Sequence, residues 1–203
     1  PWNDFSTSMP IGPGNLLRMH RLGTGDGSLY ASSGPSHYTY SSSESSNGLY
    51  RWLHGSWQIP GAASGGPIAQ EFALSTVYDS ALFDDGSGPA IYICGTFRLP
   101  LADGTAASGI ARWDGNAWSA VGNTAHVGLV SPVTDLEVFD DGAGSALYAC
   151  GGFRLPNTGL WAPFARWDGS AWTVEPPVSG FSAGTFAKVR TASGERMFGM
   201  TAD

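Results

Sequence analysis

The stretch FDDGSGPAIYICGTFRLP at Phe83–Pro100 returns almost unchanged as FDDGAGSALYACGGFRLP at Phe139–Pro156. The two copies are offset by 56 residues, and each is followed by a second shared block. These blocks are GIARWDGNAWSAVG, which ends at Gly122, and PFARWDGSAWTVEP, which ends at Pro176. Self-similarity at a period of roughly 50 residues indicates a repeat array, in which each unit buries its apolar face against a neighbour.

Fainter copies of the same pattern lie on both sides of these two. GSLYASSG and GLYRWLHGSWQIPG, within residues 27–61, form an upstream copy, and ERMFGMTAD forms a partial one near the C-terminus. In the latter, Phe198 takes the tyrosine position and Met200 the cysteine position. The predicted units are three complete ones at 15–61, 70–122 and 130–177, a partial one at 183–203, and the end of a preceding unit at 1–14.

Composition and local pattern favour an all-β fold. The 203 residues include 29 glycines and 13 prolines, aromatic residues reach 12%, and charged residues only 13%. Each unit divides into four short strands, with an Asp-Asp-Gly loop after the first and an Asp-Gly hairpin between the third and fourth. Four antiparallel strands per period correspond to one propeller blade. The sequence therefore predicts an all-β β-propeller of about four blades, either complete or a fragment of a larger ring.

The charge balance limits the classes of partner. The formal net charge is −7, the isoelectric point is near 4.9, and Lys188 is the one lysine in the sequence. Nucleic-acid binders carry a clustered Lys/Arg footprint, which this sequence lacks. No run approaches the eighteen apolar residues that a membrane-spanning helix needs. We therefore expect a protein or glycan partner and no membrane insertion.

One resemblance adds to this pattern. The glycine doublet Gly151-Gly152, the Trp167-Asp168 pair and the later Trp172 resemble the kelch signature of a glycine doublet, Tyr-Asp and Trp. More broadly, the segment 76–178 is similar to repeats in large secreted or surface-exposed bacterial proteins of unknown function. The resemblance implies an extracellular or cell-surface location and a binding or structural role.

Residues that recur in every unit are expected to serve packing, because catalysis needs one site whereas a scaffold needs many equivalent contacts. The recurrent aromatic residues are therefore predicted to form the core between units; they are Tyr92, Tyr148, Trp113, Trp167, Trp118 and Trp172. Arg51, Arg112 and Arg166 precede the third-strand tryptophans and are predicted to pair with carboxylates or stack on aromatic rings. Cys94 and Cys150 occupy equivalent positions on neighbouring units, too far apart for a disulfide, and are predicted to be buried free thiols.

Two sets of acidic residues are candidate ligand sites. Calcium is considered for the adjacent aspartates of the loops, although adjacency and the change from Ser87 to Ala143 favour a plain Asp-Gly turn; these candidates are Asp84, Asp85, Asp140 and Asp141. Asp79 and Asp135 are predicted to lie on the innermost strands, where they would hold a cation or polar ligand or simply line a hydrogen-bonded channel. The other two units place Leu17 and Phe186 at this position in the alignment.

No catalytic constellation is found. An Asp-box of the sialidase type is incomplete, since Asp114-Gly115-Asn116-Ala117-Trp118 is one residue short and lacks its serine. The four histidines share no metal-ligand spacing. We therefore predict no catalytic residues and no cofactor, leaving a carbohydrate-active propeller enzyme or a lectin-like module as the alternative function.

The loops that break the repeat are the predicted working surface. They include the serine-rich HYTYSSSESSN tract with Tyr38 and Tyr40, the segment Leu99–Ser108, and the segment Pro156–Pro163 with Trp161. Tyrosine and tryptophan side chains on such loops suit stacking on sugars, or capping of a blade. The ends of the repeat array are expected to pair with another copy or with the rest of a longer chain.

Overall fold

The computed structural model of the chain describes residues 16–23, 28–33, 48–60, 76–122, 133–154, 161–174, 184–192 and 194–201. Within these ranges the chain forms fourteen β-strands, arranged in four antiparallel sheets, and no helix. The all-β class predicted from composition and repeats is therefore confirmed.

The strands of each sheet are hydrogen-bonded in chain order. The first sheet consists of β1 (Leu16–His20), β2 (Leu29–Ser33), β3 (Gly48–Leu53) and β4 (Ser56–Gln58). The second sheet consists of β5 (Thr76–Asp84), β6 (Pro89–Pro100), β7 (Ala106–Trp113) and β8 (Trp118–Ala120). The third sheet consists of β9 (Val133–Asp140), β10 (Ser145–Arg154), β11 (Trp161–Trp167) and β12 (Trp172–Val174). The fourth sheet consists of β13 (Gly184–Thr191) and β14 (Gly194–Thr201).

The Asp-Gly pairs close the hairpins between third and fourth strands, as the sequence predicts. Asp114 Oδ1 accepts hydrogen bonds from the amides of Asn116 and Ala117, both at 2.8 Å. Asp168 makes the equivalent bonds in the third sheet. Because the carboxylate satisfies amides that the turn leaves unpaired, the hairpin is specified locally by its own residues.

Successive sheets stack on one another, and their first strands contact each other in the series β1, β5, β9 and β13. The apolar core therefore lies between sheets. One cluster joins Tyr30 and Leu49 of the first sheet to the second sheet, and another joins Tyr92 of the second sheet to Leu147 and Trp167 of the third. The middle strand β6 is covered on both faces, as predicted, with four consecutive side chains wholly buried from Ile91 to Cys94.

The tryptophans of the fourth strands join neighbouring sheets at their outer ends. Trp118 Nε1 donates to the carbonyl of Pro60, at 3.1 Å, and Trp172 Nε1 donates to the carbonyl of Val121, at 3.3 Å. Each acceptor follows the last strand of the preceding sheet. Trp118 and Trp172 are half-buried, whereas the third-strand residues Trp113 and Trp167 are buried, so the predicted aromatic core is tighter at the third strand than at the fourth.

The first strands of the three larger sheets share a β-bulge that the sequence alignment did not anticipate. The strand register shifts at Leu17 in β1, at Tyr78 in β5 and at Thr134 in β9. Each bulge adds one residue to the first strand relative to the second and bends that strand, which also contacts the first strand of the neighbouring sheet. The bulges fix which residues of the first strands are equivalent.

The alignment of Leu17 and Phe186 with Asp79 and Asp135 is wrong by one residue. Asp79 lies opposite Cys94, and Asp135 lies opposite Cys150. In the other two sheets the same position is held by Arg18, opposite Ser32, and by Thr185, opposite Met200. Leu17 is the bulge residue, and Phe186 directly follows Thr185, which is the residue paired with Met200.

Candidate functional site

Four equivalent positions on the first strands form a continuous row of polar side chains, which we call the polar row: Arg18, Asp79, Asp135 and Thr185. Arg18 Nε lies 2.8 Å from Asp79 Oδ1, and its Nη2 lies 3.7 Å from Asp135 Oδ1. The Thr185 hydroxyl donates to Asp135 Oδ2 at 2.6 Å. The structure thus brings the two sequence-predicted aspartates together and adds one residue from each flanking sheet.

Both aspartates of the polar row bond to the backbone of the next sheet. The amide of Leu136 donates to Asp79 Oδ2 at 3.1 Å, and the amide of Phe186 donates to Asp135 Oδ2 at 2.5 Å. In each case the donor is the residue directly after the next member of the row. The aspartates therefore join successive sheets.

The charges around the polar row nearly balance. Asp79, Asp135 and Glu137 are buried, with exposed fractions of 6%, 5% and 9%. Lys188 Nζ lies 2.8 Å from Glu137 Oε1, and Arg18 Nη2 lies 3.7 Å from Glu137 Oε2. Three carboxyl groups thus face two cations, and one retained proton makes the group neutral.

Asp79 is the carboxyl group that holds this proton. Burial is the largest cause, followed by the hydrogen bond to the Asp135 carboxyl, and together they raise the pKa of Asp79 to about 8 although Arg18 opposes the rise. Two carboxyl groups in contact cannot both ionise without strong repulsion. At neutral pH Asp79 therefore keeps its proton at the junction between the second and third sheets.

A second polar chain, which the sequence did not predict, joins the first and second sheets. His20 Nε2 lies 2.8 Å from Ser80 Oγ, and Ser80 Oγ lies 2.7 Å from Ser32 Oγ. Burial, followed by the charge of Arg18, lowers the pKa of His20 to about 4, so the imidazole is neutral at pH 7. Ser32 and Ser80 are wholly buried. The hydroxyls are closed to substrate, so this chain is a structural junction.

The cysteines confirm the predicted free thiols. Cys94 and Cys150 are both buried and unbonded to each other. Cys150 Sγ donates to the carbonyl of Gly184, at 2.9 Å, and so adds to the junction with the fourth sheet. Burial raises the pKa of both thiols, and a protonated thiol is a poor nucleophile.

The aspartates considered as calcium ligands accept hydrogen bonds from amides of their own loops. Asp84 Oδ1 accepts from the amides of Gly86 and Gly88, at 2.9 and 3.0 Å. Asp85 Oδ1 accepts from the amide and hydroxyl of Ser87. Asp140 and Asp141 repeat the amide bonds in the third sheet. Among the described residues, no group of three or more His, Cys, Asp or Glu side chains is placed to hold a metal ion.

The recurrent arginines make the contacts that the sequence predicts. Arg112 Nε lies 3.2 Å from Asp85 Oδ2, the same oxygen that accepts from the Tyr92 hydroxyl at 2.7 Å. Arg166, Asp141 and Tyr148 form the equivalent group in the third sheet; their ion pair is 3.6 Å and their hydroxyl bond 2.8 Å. In the first sheet Arg51 instead lies over the Tyr30 ring, 6.0 Å from its centre. These side chains tie loop, second strand and third strand together.

The aromatic loop candidates are only partly covered by the structure. Tyr38 and Tyr40 lie outside the described residues. Trp161 begins β11 opposite Arg154, but its side chain is also outside them. The segment Leu99–Ser108 is a continuation of the β6–β7 hairpin, closed by a turn in which the Leu101 amide donates to the Thr105 carbonyl at 2.9 Å. Leu99 and Ala107 of this segment are buried in the core, and the turn between them is closed by hydrogen bonds.

Comparisons with known proteins do not assign a family. No family model, curated protein or solved structure matches this sequence significantly. In the described ranges, no helix has the length and hydropathy needed to cross a bilayer.

Proposed function

We propose that this chain is a non-catalytic binding or structural scaffold, built as a β-propeller from kelch-like repeats and belonging to a secreted or surface protein of bacteria. Three consecutive four-stranded antiparallel sheets and the row of first strands β1, β5, β9 and β13 support a propeller arrangement. In a propeller the first strand of every blade lies nearest the central axis. The polar row, which lies on the first strands, would then line that axis.

One observation carries the non-catalytic proposal. The carboxyl and thiol groups at the junctions between the second, third and fourth sheets are held in contacts with the next sheet. Asp79 and Asp135 bond to the next sheet's backbone, and Cys150 donates to a carbonyl. A group needed to bind its neighbouring sheet is not free to bind substrate. The aspartates of the polar row thus connect neighbouring sheets.

Ligand binding would then fall to the loops at which the repeats differ. The turn at residues 101–105 joins β6 to β7 and has no counterpart of the same sequence in the third sheet. Asp103 and Thr105 fix its shape, since Asp103 Oδ1 accepts from the Thr105 amide at 2.9 Å and hydroxyl at 2.6 Å. A rigid turn presents its surface at little entropic cost.

The experiment is a glycan array combined with a panel of chromogenic glycosides, applied to the whole chain. A scaffold without sugar specificity gives no turnover and no saturable glycan signal. Saturable binding that Trp161→Ala or Tyr38→Ala abolishes, while the intersheet control Trp118→Phe keeps it, would establish the lectin-like alternative. Glycoside hydrolysis by the purified chain would refute the non-catalytic proposal.

A further inference from the structure

Within the described part of the chain, the fourth sheet has an unpaired edge and exposed apolar side chains on one face. Among the described strands, β14 pairs with β13 alone, whereas the second strand of each other sheet lies between two neighbours. Phe198 on β14 is 52% exposed and Val189 on β13 is 47% exposed. An exposed edge strand with apolar side chains is a template for pairing with another strand.

Phe198 is exposed at a position where its equivalents are buried. By register it matches Tyr30, Tyr92 and Tyr148, which are 0%, 0% and 5% exposed. Tyr92 is covered by the third sheet, and Tyr148 contacts Phe186 of the fourth, with ring centres 6.5 Å apart. The face of the fourth sheet that carries Phe198 thus continues the repeated sheet-on-sheet interface.

A cross-strand pair of an aromatic residue and an arginine recurs beside this position. In the three larger sheets the second-strand tyrosine lies opposite an arginine of the third strand: Tyr30 opposite Arg51, Tyr92 opposite Arg112, and Tyr148 opposite Arg166. The strand β14 itself contains both partners two residues apart, Arg196 and Phe198. Residues two apart on a strand share a face.

We propose that β14 is a docking edge for a second copy of this chain, with the two β14 strands antiparallel and Met197 opposite the partner's Met197. This register sets Arg196 of each protomer opposite Phe198 of the other, as Arg51 lies opposite and over the Tyr30 ring in the first sheet. Glu195 then lies opposite Gly199, so no like charges face each other. Two β13–β14 pairs combine into one four-stranded sheet, matching the strand number of the others.

The symmetry favours a second copy as the occupant. A two-fold axis through Met197 makes the contact isologous, so each strand supplies the same groups it needs from its partner. The edge alone buries a small area, which places the expected association in the weak, micromolar range. Backbone hydrogen bonds supply the affinity, and the two arginine–aromatic pairs fix the register.

Sedimentation velocity over a concentration series tests the association. Phe198→Arg sets like charges opposite each other, because the introduced guanidinium faces Arg196 across the edge, and is expected to weaken dimerisation by about tenfold or more. Adding Arg196→Glu to this variant restores opposite charges and is expected to recover dimerisation. Val189→Ser, on the same face but away from the edge, is the control and leaves dimerisation unchanged. A wild-type chain that stays monomeric at millimolar concentration would overturn the proposal.

Disulfide trapping tests the register separately. Met197→Cys brings the two new thiols to opposed positions, where Cβ atoms in antiparallel strands are about 5 Å apart, and yields a reducible covalent dimer. Gly199→Cys is the matched control: its two copies would lie about 13 Å apart along the strands and stay unlinked. Equal crosslinking of both variants, or of neither, would contradict the proposed register. The native thiols do not interfere, because both are buried.

Discussion

At the scale of single residues, Asp79 places a carboxyl group where ionisation opposes folding. Its pKa is raised from the ordinary value of 3.8 to about 8, mainly by burial and then by the Asp135 carboxyl. A group with a raised folded pKa stabilises fully below its unfolded pKa, and this contribution is lost as the pH rises through the folded value. The native protein should therefore lose stability between about pH 4 and pH 8.

Asp79→Asn should remove most of this pH dependence. The amide oxygen still accepts from Leu136 and the side chain no longer titrates, so the lost contact with Arg18 lowers the stability equally at every pH. We expect the wild type to lose about 1 to 3 kcal/mol between about pH 5 and pH 8.5, and the variant to lose much less. Urea denaturation at both pH values measures this. The control Asp103→Asn, in an exposed turn, should retain the wild-type slope; equal slopes for Asp79→Asn and wild type would contradict the assignment.

Substitutions at two glycines distinguish the cost of backbone strain from the cost of steric crowding. Gly169 and Gly142 have nearly the same positive φ, +104° and +100°. A Cβ at Gly142 meets open space, whereas one at Gly169 would overlap the backbone carbonyl of Asp85 in the preceding sheet. The hairpin of the third sheet therefore packs closely on the loop of the second.

Gly142→Ala should cost about 1 kcal/mol, from φ alone. Gly169→Ala should cost at least about 1 to 2 kcal/mol more, because the hairpin must also move away from Asp85. Comparing urea midpoints of the two variants measures the difference. If the two losses are equal, the third and second sheets are not in contact at this point.

At the scale of strands and hairpins, the turns could be predicted and the bulges could not. Asp114 and Asp168 each satisfy amides two and three residues ahead, so the signal is local. The bulge at Leu17 depends on the pairing register between β1 and β2. This register involves two separate segments, so the residues around Leu17 alone do not predict it. Because of this bulge, the sequence alignment placed Leu17 instead of Arg18 at the position of the two aspartates. A comparison of repeats also detects residues that are alike, and Arg18 is unlike Asp79 and Asp135. The charge that balances the aspartates occurs where the units differ.

Trp118 and Trp172, on the fourth strands, each connect their own sheet to the preceding one by a hydrogen bond. Trp172→Ala removes half-buried apolar area and the bond to the Val121 carbonyl, so we expect a loss of about 3 kcal/mol, and the same for Trp118→Ala. Trp172→Phe keeps most of the packing and should cost about 1 kcal/mol for the missing hydrogen bond. Thermal or urea unfolding of the three variants checks this order. A loss below about 1 kcal/mol for either alanine variant would show that these side chains are free for another role.

At the scale of the whole molecule, stability should vary from sheet to sheet. In a stacked array each unit contacts its neighbours alone, so its stability depends on the interfaces on either side of it. The second and third sheets are covered on both faces by described residues, while the fourth leaves Phe198 and Val189 exposed. The fourth sheet is then held by Asp135, by Lys188 and by the packing of Phe186. Thr134 and Cys150 add hydrogen bonds to the carbonyl of Gly184.

Asp135→Ala should therefore release the fourth sheet before the others. The substitution leaves the Phe186 amide and the Thr185 hydroxyl without their acceptor, and it also removes the carboxyl group that is hydrogen-bonded to Asp79. We expect hydrogen exchange in Gly184–Thr191 to speed up by about tenfold or more, or about 1.4 kcal/mol, while Ile91–Cys94 in β6 stays protected. Asp140→Ala, in a turn of the same strand β9, is the control and should alter exchange near its own loop alone. Exchange that rises equally in all four sheets would instead mean that the molecule opens as one cooperative unit, and that the polar row stabilises the stack as a whole.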